Sequence, residues 1–188
     1  MIVPAVSNAF MPPQPSDPTA SGLVREALAQ HESSLIAYAC SILGGDEERA
    51  RDVVQDTLLK LYLADPIRVR ENLKAWLYAV CRNRAFDVLR KEHRLVLTDN
   101  DDHLDWLDEW QPDPSEDASK EEMLEHVWQC MEQLPLNQRE VIRLKFQHGL
   151  SYKEISSVTG LSVTNVGFLL HTGIKRLRKL MHRTYSEI

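Results

Sequence analysis

The helical organisation of this chain is clearest in residues 150–171, which read LSYKEISSVTGLSVTNVGFLLH. Ser151 and Glu154 have the spacing of a capping box, so a helix should begin at Tyr152. Gly160 permits the left-handed backbone that ends such a helix, and the serine two residues later can cap a second one. The stretch therefore predicts two short helices joined by a tight turn, the layout of a DNA-binding helix-turn-helix.

The second helix of this pair has two different sides. The apolar residues that should hold it onto its domain recur at helical spacing and are Val163, Val166, Leu169, Leu170, Ile174 and Leu177. The other side carries Thr164, Asn165, Phe168 and His171, and further along Lys175, Arg176, Arg178 and Lys179. Short side chains near a helix start can reach base edges, whereas later Lys and Arg suit phosphates. The alternative interpretation is a small helical core with a solvated basic tail.

Charge is segregated along the chain. Of 188 residues, 43% are hydrophobic and 27% charged, a globular composition, and the net charge is −6. Two basic blocks at 66–94 and 142–183 each hold eight Lys or Arg, whereas 95–117 holds nine Asp or Glu and no Lys or Arg. Because attraction to phosphate is screened over about 8–10 Å, these local blocks matter more than the net charge.

Several classes of protein are disfavoured by what the sequence lacks. Cys40, Cys81 and Cys130 form no metal-ligand pattern and fall in apolar helical patterns, which favours buried thiols in a reducing compartment. No stretch approaches the ~20 apolar residues that span a membrane, so a cytoplasmic protein is expected. The seven histidines form no metal-spaced pair, and no nucleophile with a nearby base can be identified. We therefore expect neither an enzyme nor a bound metal or cofactor.

The hydrophobic pattern predicts an all-α protein with two small helical domains. Residues 1–21 are rich in Pro and Ser and should form a flexible tail, followed by a helical domain at 22–94. The acidic segment 95–119 should be an extended, flexible linker, although Trp106 and Trp110 have the spacing of a helical turn that packs somewhere. The second domain should occupy 120–185, and its apolar residues Val141, Ile142, Leu144 and Phe146 lead into the helix-turn-helix.

A predicted helix from about residue 73 to 94 carries the second informative pattern. On a 3.6-residue period, one stripe away from its core-facing side contains Trp76, Val80, Asn83, Asp87, Arg90 and Arg94. Such a stripe offers stacking, base-edge hydrogen bonds and phosphate contacts together, a combination that suits single-stranded nucleic acid. On these residues alone it is equally possible that Trp76 belongs to the core and that the rest is a solvated face.

Two groups of motifs resemble one protein family. Residues 134–142, LPLNQREVI, followed by GLSYKEI at 149–155, resemble region four of bacterial RNA polymerase sigma factors. Residues 50–60, ARDVVQDTLLK, and 75–91, AWLYAVCRNRAFDVLRK, resemble region two of the same family. Two regions joined by a short linker resemble the extracytoplasmic-function class, called group four of the sigma-70 family.

The resemblance implies a function and a set of contact residues. A sigma factor binds core RNA polymerase and directs promoter-specific initiation by recognising the −35 and −10 elements and assisting promoter melting. The implied contacts with the clamp helices of the polymerase β′ subunit are Asp52, Gln55, Asp56 and Lys60. Those with the −10 element are Trp76, Asn83, Asp87, Arg90 and Lys91. Those with the −35 element are Ser162, Thr164, Asn165, Phe168, His171, Lys175, Arg176, Arg178 and Lys179.

The resemblance also implies partners. These are the β′ clamp helices and β flap of the polymerase, promoter DNA and an anti-sigma factor, with a monomer bound to polymerase. One departure is Gly167-Phe168-Leu169, where family members usually carry Lys or Arg, and Gly within a helix costs about 1 kcal/mol relative to Ala. The alternative from another class is a stand-alone helix-turn-helix regulator that binds an operator without polymerase, usually as a dimer.

Overall fold

The computed structural model describes residues 18–96 and 118–185. The predicted tail up to residue 17 and the linker residues 97–117, including Trp106 and Trp110, lie outside the described residues. The described parts are helical, which confirms the all-α prediction. Their elements are α1 (Pro18–Ile42), α2 (Glu47–Leu63), α3 (Pro66–Arg70), α4 (Leu73–Val96), α5 (Ala118–Glu132), α6 (Leu136–Ile142), a π-helical turn (Arg143–Gln147), α7 (Tyr152–Thr159) and α8 (Val163–Tyr185).

The N-terminal domain consists of α1 to α4. Helix α1 begins at Pro18, inside the segment predicted as tail, because Ala20 and Leu23 are buried in the core. Gly44 and Gly45 follow α1 with φ angles of 68° and 81°, a left-handed turn that glycine adopts without steric cost. The Asp46 side chain then accepts a hydrogen bond from the Arg49 N–H and caps α2.

Short helix α3 orients α4. Asp65 caps α3 by accepting a hydrogen bond from the N–H of Ile67, and Pro66 stands at its first position, where a missing N–H costs nothing. Helix α4 then begins at Leu73, directly after Asn72, as predicted. Its inner face is made by Leu77, Cys81 and other buried residues, so α4 packs against both α1 and α2.

The C-terminal domain consists of α5 to α8. Ser151 and Glu154 form both hydrogen bonds of the predicted capping box at the start of α7. Gly160 ends α7 with a φ of 75°, in the left-handed region that the sequence requires there. The Ser162 hydroxyl accepts a hydrogen bond from the Asn165 N–H at the start of α8. The predicted helix-turn-helix is present.

The π-helical turn after α6 is a feature that the sequence does not predict. A π turn adds a residue to the helical repeat, and the apolar pattern therefore changes phase within Arg143–Gln147. Val141, Ile142 and Leu144 are buried as expected, but Phe146 is 66% exposed, so its assignment to the apolar lead-in is wrong. The same turn places Arg143 and His148 in buried positions that face the N-terminal domain.

The two domains pack against each other, chiefly through α4 and α7. Glu140 of the C-terminal domain accepts hydrogen bonds from the Tyr38 hydroxyl (2.9 Å) and from Arg82 Nε (2.7 Å) and Nη2 (3.1 Å). Tyr78 Oη and His148 Nδ1 are hydrogen-bonded across the same interface at 3.0 Å. The hydrophobic core is consequently continuous between domains that the sequence describes as separate units on a tether.

Among the residues that the structure describes, no helix is both long enough and apolar enough to cross a membrane. Cys81 and Cys130 are buried, and Cys40 is half-buried. Burial raises the pKa of the Cys81 thiol to about 12, which keeps it protonated at neutral pH.

Candidate nucleic-acid interface

Helix α2 presents to solvent a mainly polar face that also holds the exposed Leu59. Its inner side is fixed by the burial of Val53, Val54 and Leu61, which turns Asp52, Gln55 and Lys60 outward, where all three are exposed. Asp56 is only half-buried and accepts a hydrogen bond from Arg84 Nε at 2.6 Å. The four predicted polymerase-contacting residues of α2 thus lie on one side of the helix, with Asp56 tied to α4.

Helix α4 carries the predicted single-strand stripe. Asn83, Arg90 and Lys91 are exposed, and Asp87 is half-buried. Arg90 Nη2 donates to Asp87 Oδ1 at 2.8 Å, which places a guanidinium and a carboxylate side by side on the stripe. Trp76 is half-buried and packs against the hydrophobic core, so its ring is not a fully open stacking platform.

Helix α8 displays all nine predicted −35 residues at its surface. Val166 and Leu170 are buried and hold the helix in place, which turns the intervening positions outward. The exposed members of the set are Ser162, Thr164, Asn165, Phe168, His171, Lys175, Arg176, Arg178 and Lys179. The first five lie on the first turns of the helix or at its cap, and the four Lys and Arg residues follow. Side chains suited to the edges of nucleobases and side chains suited to phosphates therefore occupy separate stretches of the helix.

The Val163 assignment is wrong, because this side chain is 43% exposed rather than part of the anchoring set. It stands at the first residue of α8, directly after the capping serine. Gly167 lies on the side of α8 that faces Tyr152, and a Cβ added there would be 3.7 Å from that ring. The Tyr152 ring therefore occupies the space beside Gly167, a position at which the sequence departs from the Lys or Arg usual in the family.

The interface between the domains is electrostatically distinctive. The rings of Tyr38, Tyr78 and His148 cluster with centroids 5.1 to 5.5 Å apart. Burial, with smaller contributions from Lys74 and Arg143, lowers the pKa of His148 to about 4, so its imidazole is neutral at physiological pH. Burial, reinforced by the Glu140 carboxylate, raises the pKa of Tyr38 well above its usual value. At the junction the ionised pair of Arg82 and Glu140 thus lies beside three neutral rings, and Arg143 Nη1 donates across it to the Ser41 carbonyl oxygen at 3.2 Å.

Sequence reasoning did not find these interdomain residues. Tyr38, Tyr78 and His148 come from three helical segments up to 110 positions apart, and hydrophobic periodicity relates only neighbours along one helix. Glu140 and His148 lie in the mixed segment EVIRLKFQH at 140–148, where Arg143, Lys145 and Gln147 are also polar, so no local pattern marks them. No group of three or more His, Cys, Asp or Glu that could hold a metal ion occurs within residues 18–96 and 118–185 as described.

Comparison with known proteins places the chain in the context that its motifs indicate. Residues 28–95 match the family model described as Sigma-70 region 2, and residues 124–177 match Sigma-70, region 4. The chain is 31% identical to the ECF RNA polymerase sigma factor SigM of Bacillus subtilis, an alignment that spans 76% of this chain and 85% of SigM. It is 29% identical to the ECF RNA polymerase sigma factor EcfG of Rhodopseudomonas palustris, covering 87% and 88% of the two chains.

A solved structure shares the fold. The sigma factor RpoE, crystallised in complex with the anti-sigma factor NepR from Bartonella quintana, superposes with a TM-score of 0.64 at 25% identity. The superposition covers 84% of this chain and 96% of that one. Both helical domains therefore have counterparts in that protein.

Proposed function

The chain belongs to the extracytoplasmic-function sigma factors of the sigma-70 family and directs promoter-specific transcription by core RNA polymerase, and we propose how its surfaces divide that work. Helix α2 binds the β′ clamp helices through Asp52, Gln55, Asp56 and Lys60. The outer stripe of α4 binds the −10 element, and α8 enters the major groove of the −35 element. The observation that carries this assignment is the exposure of all nine α8 residues while Val166 and Leu170 anchor the helix.

The chemistry of each surface suits its proposed role. On α4, Asn83 can hydrogen-bond to base edges that have been unpaired, and Arg90 and Lys91 can neutralise the phosphates of the displaced strand. On α8, exposed polar groups near the start of the helix follow the docking geometry of helix-turn-helix proteins. Catalysis belongs to the polymerase in this proposal, and the protein acts in the cytoplasm without a cofactor.

Simultaneous contact with both promoter elements requires the domains to separate. Elements centred roughly 25 base pairs apart lie about 85 Å from each other on straight B-DNA at 3.4 Å per base pair. In the packed form, Asn83 and Asn165 can be at most about 65 Å apart. This upper bound follows the chain from Asn83 to Tyr78, crosses the Tyr78–His148 hydrogen bond and continues to Asn165, with 1.5 Å for each helical and 3.6 Å for each extended residue. We propose that polymerase binds a form in which Glu140 has left Arg82 and Tyr38.

An anti-sigma protein is the proposed negative regulator. The solved sigma factor RpoE was crystallised in complex with the anti-sigma factor NepR. A protein that grips both domains of this chain would stabilise their contact and keep the promoter-binding surfaces too close for use. A stand-alone regulator is not favoured, because the N-terminal domain matches Sigma-70 region 2. A regulator that binds an operator without polymerase does not need that region.

Run-off transcription from a genomic promoter library tests these assignments. Purified core polymerase of the host is assayed alone, with this protein, and with variants altered on one surface at a time. New transcripts that share upstream sequences are expected with the wild type, and Asp52→Ala with Lys60→Ala should abolish them by preventing association with core. If those variants transcribe normally while losing no affinity for core, the proposed clamp contact is wrong.

The DNA surfaces need a separate measurement. Asn83→Ala should leave core binding intact and reduce open-complex formation, measured by permanganate footprinting of unpaired thymines. Exposed Glu32→Ala on α1, outside the three proposed contact surfaces, is a control that should change neither property. Normal melting by the Asn83 variant would contradict the assignment of the −10 element to α4.

A further inference from the structure

The reading face of α8 is uncharged. No Lys, Arg, Asp or Glu occurs between Ile155 and Ile174, a stretch that includes α7 from its middle and the first three turns of α8. The side chains exposed on those turns are Val163, Thr164, Asn165, Phe168 and His171. Phe168 is 63% exposed, an apolar ring that solvent leaves uncovered.

These residue types select among base pairs. Guanine is read most often by a bidentate Arg or Lys, and the uncharged face offers neither. Asn pairs its amide with N6 and N7 of adenine, and an apolar side chain packs against the C5-methyl group of thymine. We infer that Asn165 and Phe168 read A·T base pairs in the −35 element, Asn165 through adenine and Phe168 through a thymine methyl. This inference rests on the proposed function, in which α8 enters the −35 groove.

The geometry of the helix sets the spacing of the two pairs. Asn165 and Phe168 are three residues apart, so their Cβ atoms are about 5–6 Å apart on one face. Base pairs are stacked about 3.4 Å apart, which places the two A·T pairs one or two steps from each other. Thr164, four residues before Phe168, lies beside it on the same face. Its methyl and hydroxyl groups can contact either an A·T or a G·C base pair.

Local packing keeps the ring of Phe168 directed outward. The residues two positions before and after it, Val166 and Leu170, are buried and fix the rotation of α8. The preceding residue is Gly167, and the space on that side of the helix is filled by Tyr152 of α7. Phe168 thus stands between a glycine and a half-buried leucine, with its ring free to meet a groove floor.

The phosphate contacts lie elsewhere on the same helix. Lys175, Arg176, Arg178 and Lys179 follow the uncharged turns, and all four are exposed. Their attraction to DNA is independent of sequence, so it supplies affinity while the uncharged turns supply discrimination. Changes at Phe168 and changes at Lys179 should consequently have separable effects.

A selection experiment is the first test. Holoenzyme made with the full chain selects promoters from a pool that is randomised over the −35 element of one promoter from the genomic library. The expected result is A·T at two positions one or two steps apart. Convergence on G·C at every constrained position would overturn the inference.

Base analogues then identify the contacting atoms. Replacing the selected thymine by uracil removes only the C5-methyl, and the wild type should lose about fourfold in affinity, the effect of one buried methyl-sized group. Phe168→Ala should bind thymine and uracil templates equally, whereas Phe168→Leu, which keeps an apolar side chain, should retain part of the difference. Replacing the selected adenine by 7-deazaadenine should weaken the wild type and leave Asn165→Ala unaffected.

The controls separate this inference from the function on which it rests. Lys179→Ala should weaken all templates while keeping the thymine to uracil ratio, and thermal unfolding of each exposed-site variant should match that of the wild type. Equal binding of thymine and uracil templates by the wild type, with −35 dependence intact, would overturn the reading by Phe168 but not the role of α8. If randomising the −35 element has no effect on promoter-specific transcription, the proposed role of α8 itself fails.

Discussion

Helices α4 and α8 have 24 and 23 residues, and both are proposed to contact promoter DNA, yet they are built differently. Helix α4 carries charge on two sides, with Arg82 paired to Glu140 of the other domain and Arg84 paired to Asp56 of α2. Helix α8 is held by buried Val166 and Leu170, and its reading face is uncharged. The comparison indicates that α4 couples parts of the protein to each other, whereas α8 is left free to meet a groove.

Removing the carboxylate partner of α4 should produce the largest effect. Glu140→Ala leaves Arg82 with its guanidinium largely buried and takes away the acceptor of the Tyr38 hydroxyl, since the two charged side chains are only 22% and 15% exposed. Breaking such a pair should destabilise the packed form by about 2–4 kcal/mol. Energy transfer between dyes at positions 48 and 179 measures the loss of packing.

A surface pair provides the control for this first prediction. Glu47 pairs with Arg51 one helical turn away on α2, where both are exposed, so Glu47→Ala should change the stability of the packed form by less than about 0.5 kcal/mol. Equal effects of the two substitutions would mean that the α4 contact does not hold the domains together.

Acid should weaken the same junction through His148. Its pKa is lowered to about 4 in the packed form, so the imidazole takes up a proton more readily once the domains part. The packed form is therefore favoured above about pH 6.5, and that contribution is lost as the pH falls toward about 4. Linkage gives a loss of about 2 kcal/mol between pH 7.5 and pH 5, visible as falling energy transfer between the two dyes.

Two histidine variants isolate that titration. The groups facing His148 are Tyr38 on α1, Lys74 and Tyr78 on α4, and Arg143 of the π turn. His148→Phe keeps a ring in the cluster without a titrating proton, so the fall between pH 7.5 and pH 5 should disappear. His31→Gln should retain the fall in energy transfer, because His31 is outside the ring cluster. If this variant loses the fall, His31 rather than His148 is responsible for the pH dependence.

Two glycines test how tightly α8 is held. A Cβ at Gly173 would lie 2.9 Å from Ile142 Cδ1 and 3.2 Å from Gln138 Cβ, so Gly173→Ala should cost about 1–3 kcal/mol in thermal unfolding. At Gly167 the nearest atom is 3.7 Å away, an ordinary contact. Gly167→Ala should stabilise the protein by about 0.5–1 kcal/mol through helix propensity. If Gly167→Ala also destabilises the protein, the Tyr152 ring packs more tightly against α8 than the distance of 3.7 Å indicates.

The basic end of α8 should give the smallest effect per residue. Lys179→Ala removes one phosphate contact, and binding of holoenzyme to promoter DNA should weaken uniformly across sequences. The slope of log affinity against log salt concentration should fall by about 0.9. An unchanged slope would place Lys179 away from the DNA backbone and restrict contact to the uncharged turns.

Local motifs were predicted well because each depends on a few neighbouring residues. The capping box at Ser151 and Glu154 and the left-handed Gly160 both appear where the sequence indicates. The exposed positions of α8 followed from helical periodicity once Val166 and Leu170 were assigned to the core. Val163 and Phe146 were assigned wrongly, since a helix start and a π turn break the regular period on which both assignments relied.

By itself the sequence determined the all-α class, the helix-turn-helix and the family, because these depend on spacing within single helices and on quoted motifs. Only the tertiary structure decided that the two domains meet, that Glu140 joins Arg82 to Tyr38, and that Tyr152 lies beside Gly167. The physical reason is that a helix pattern specifies which side is buried, but not which distant surface buries it. That choice is made by the fit of side chains drawn from both ends of the chain.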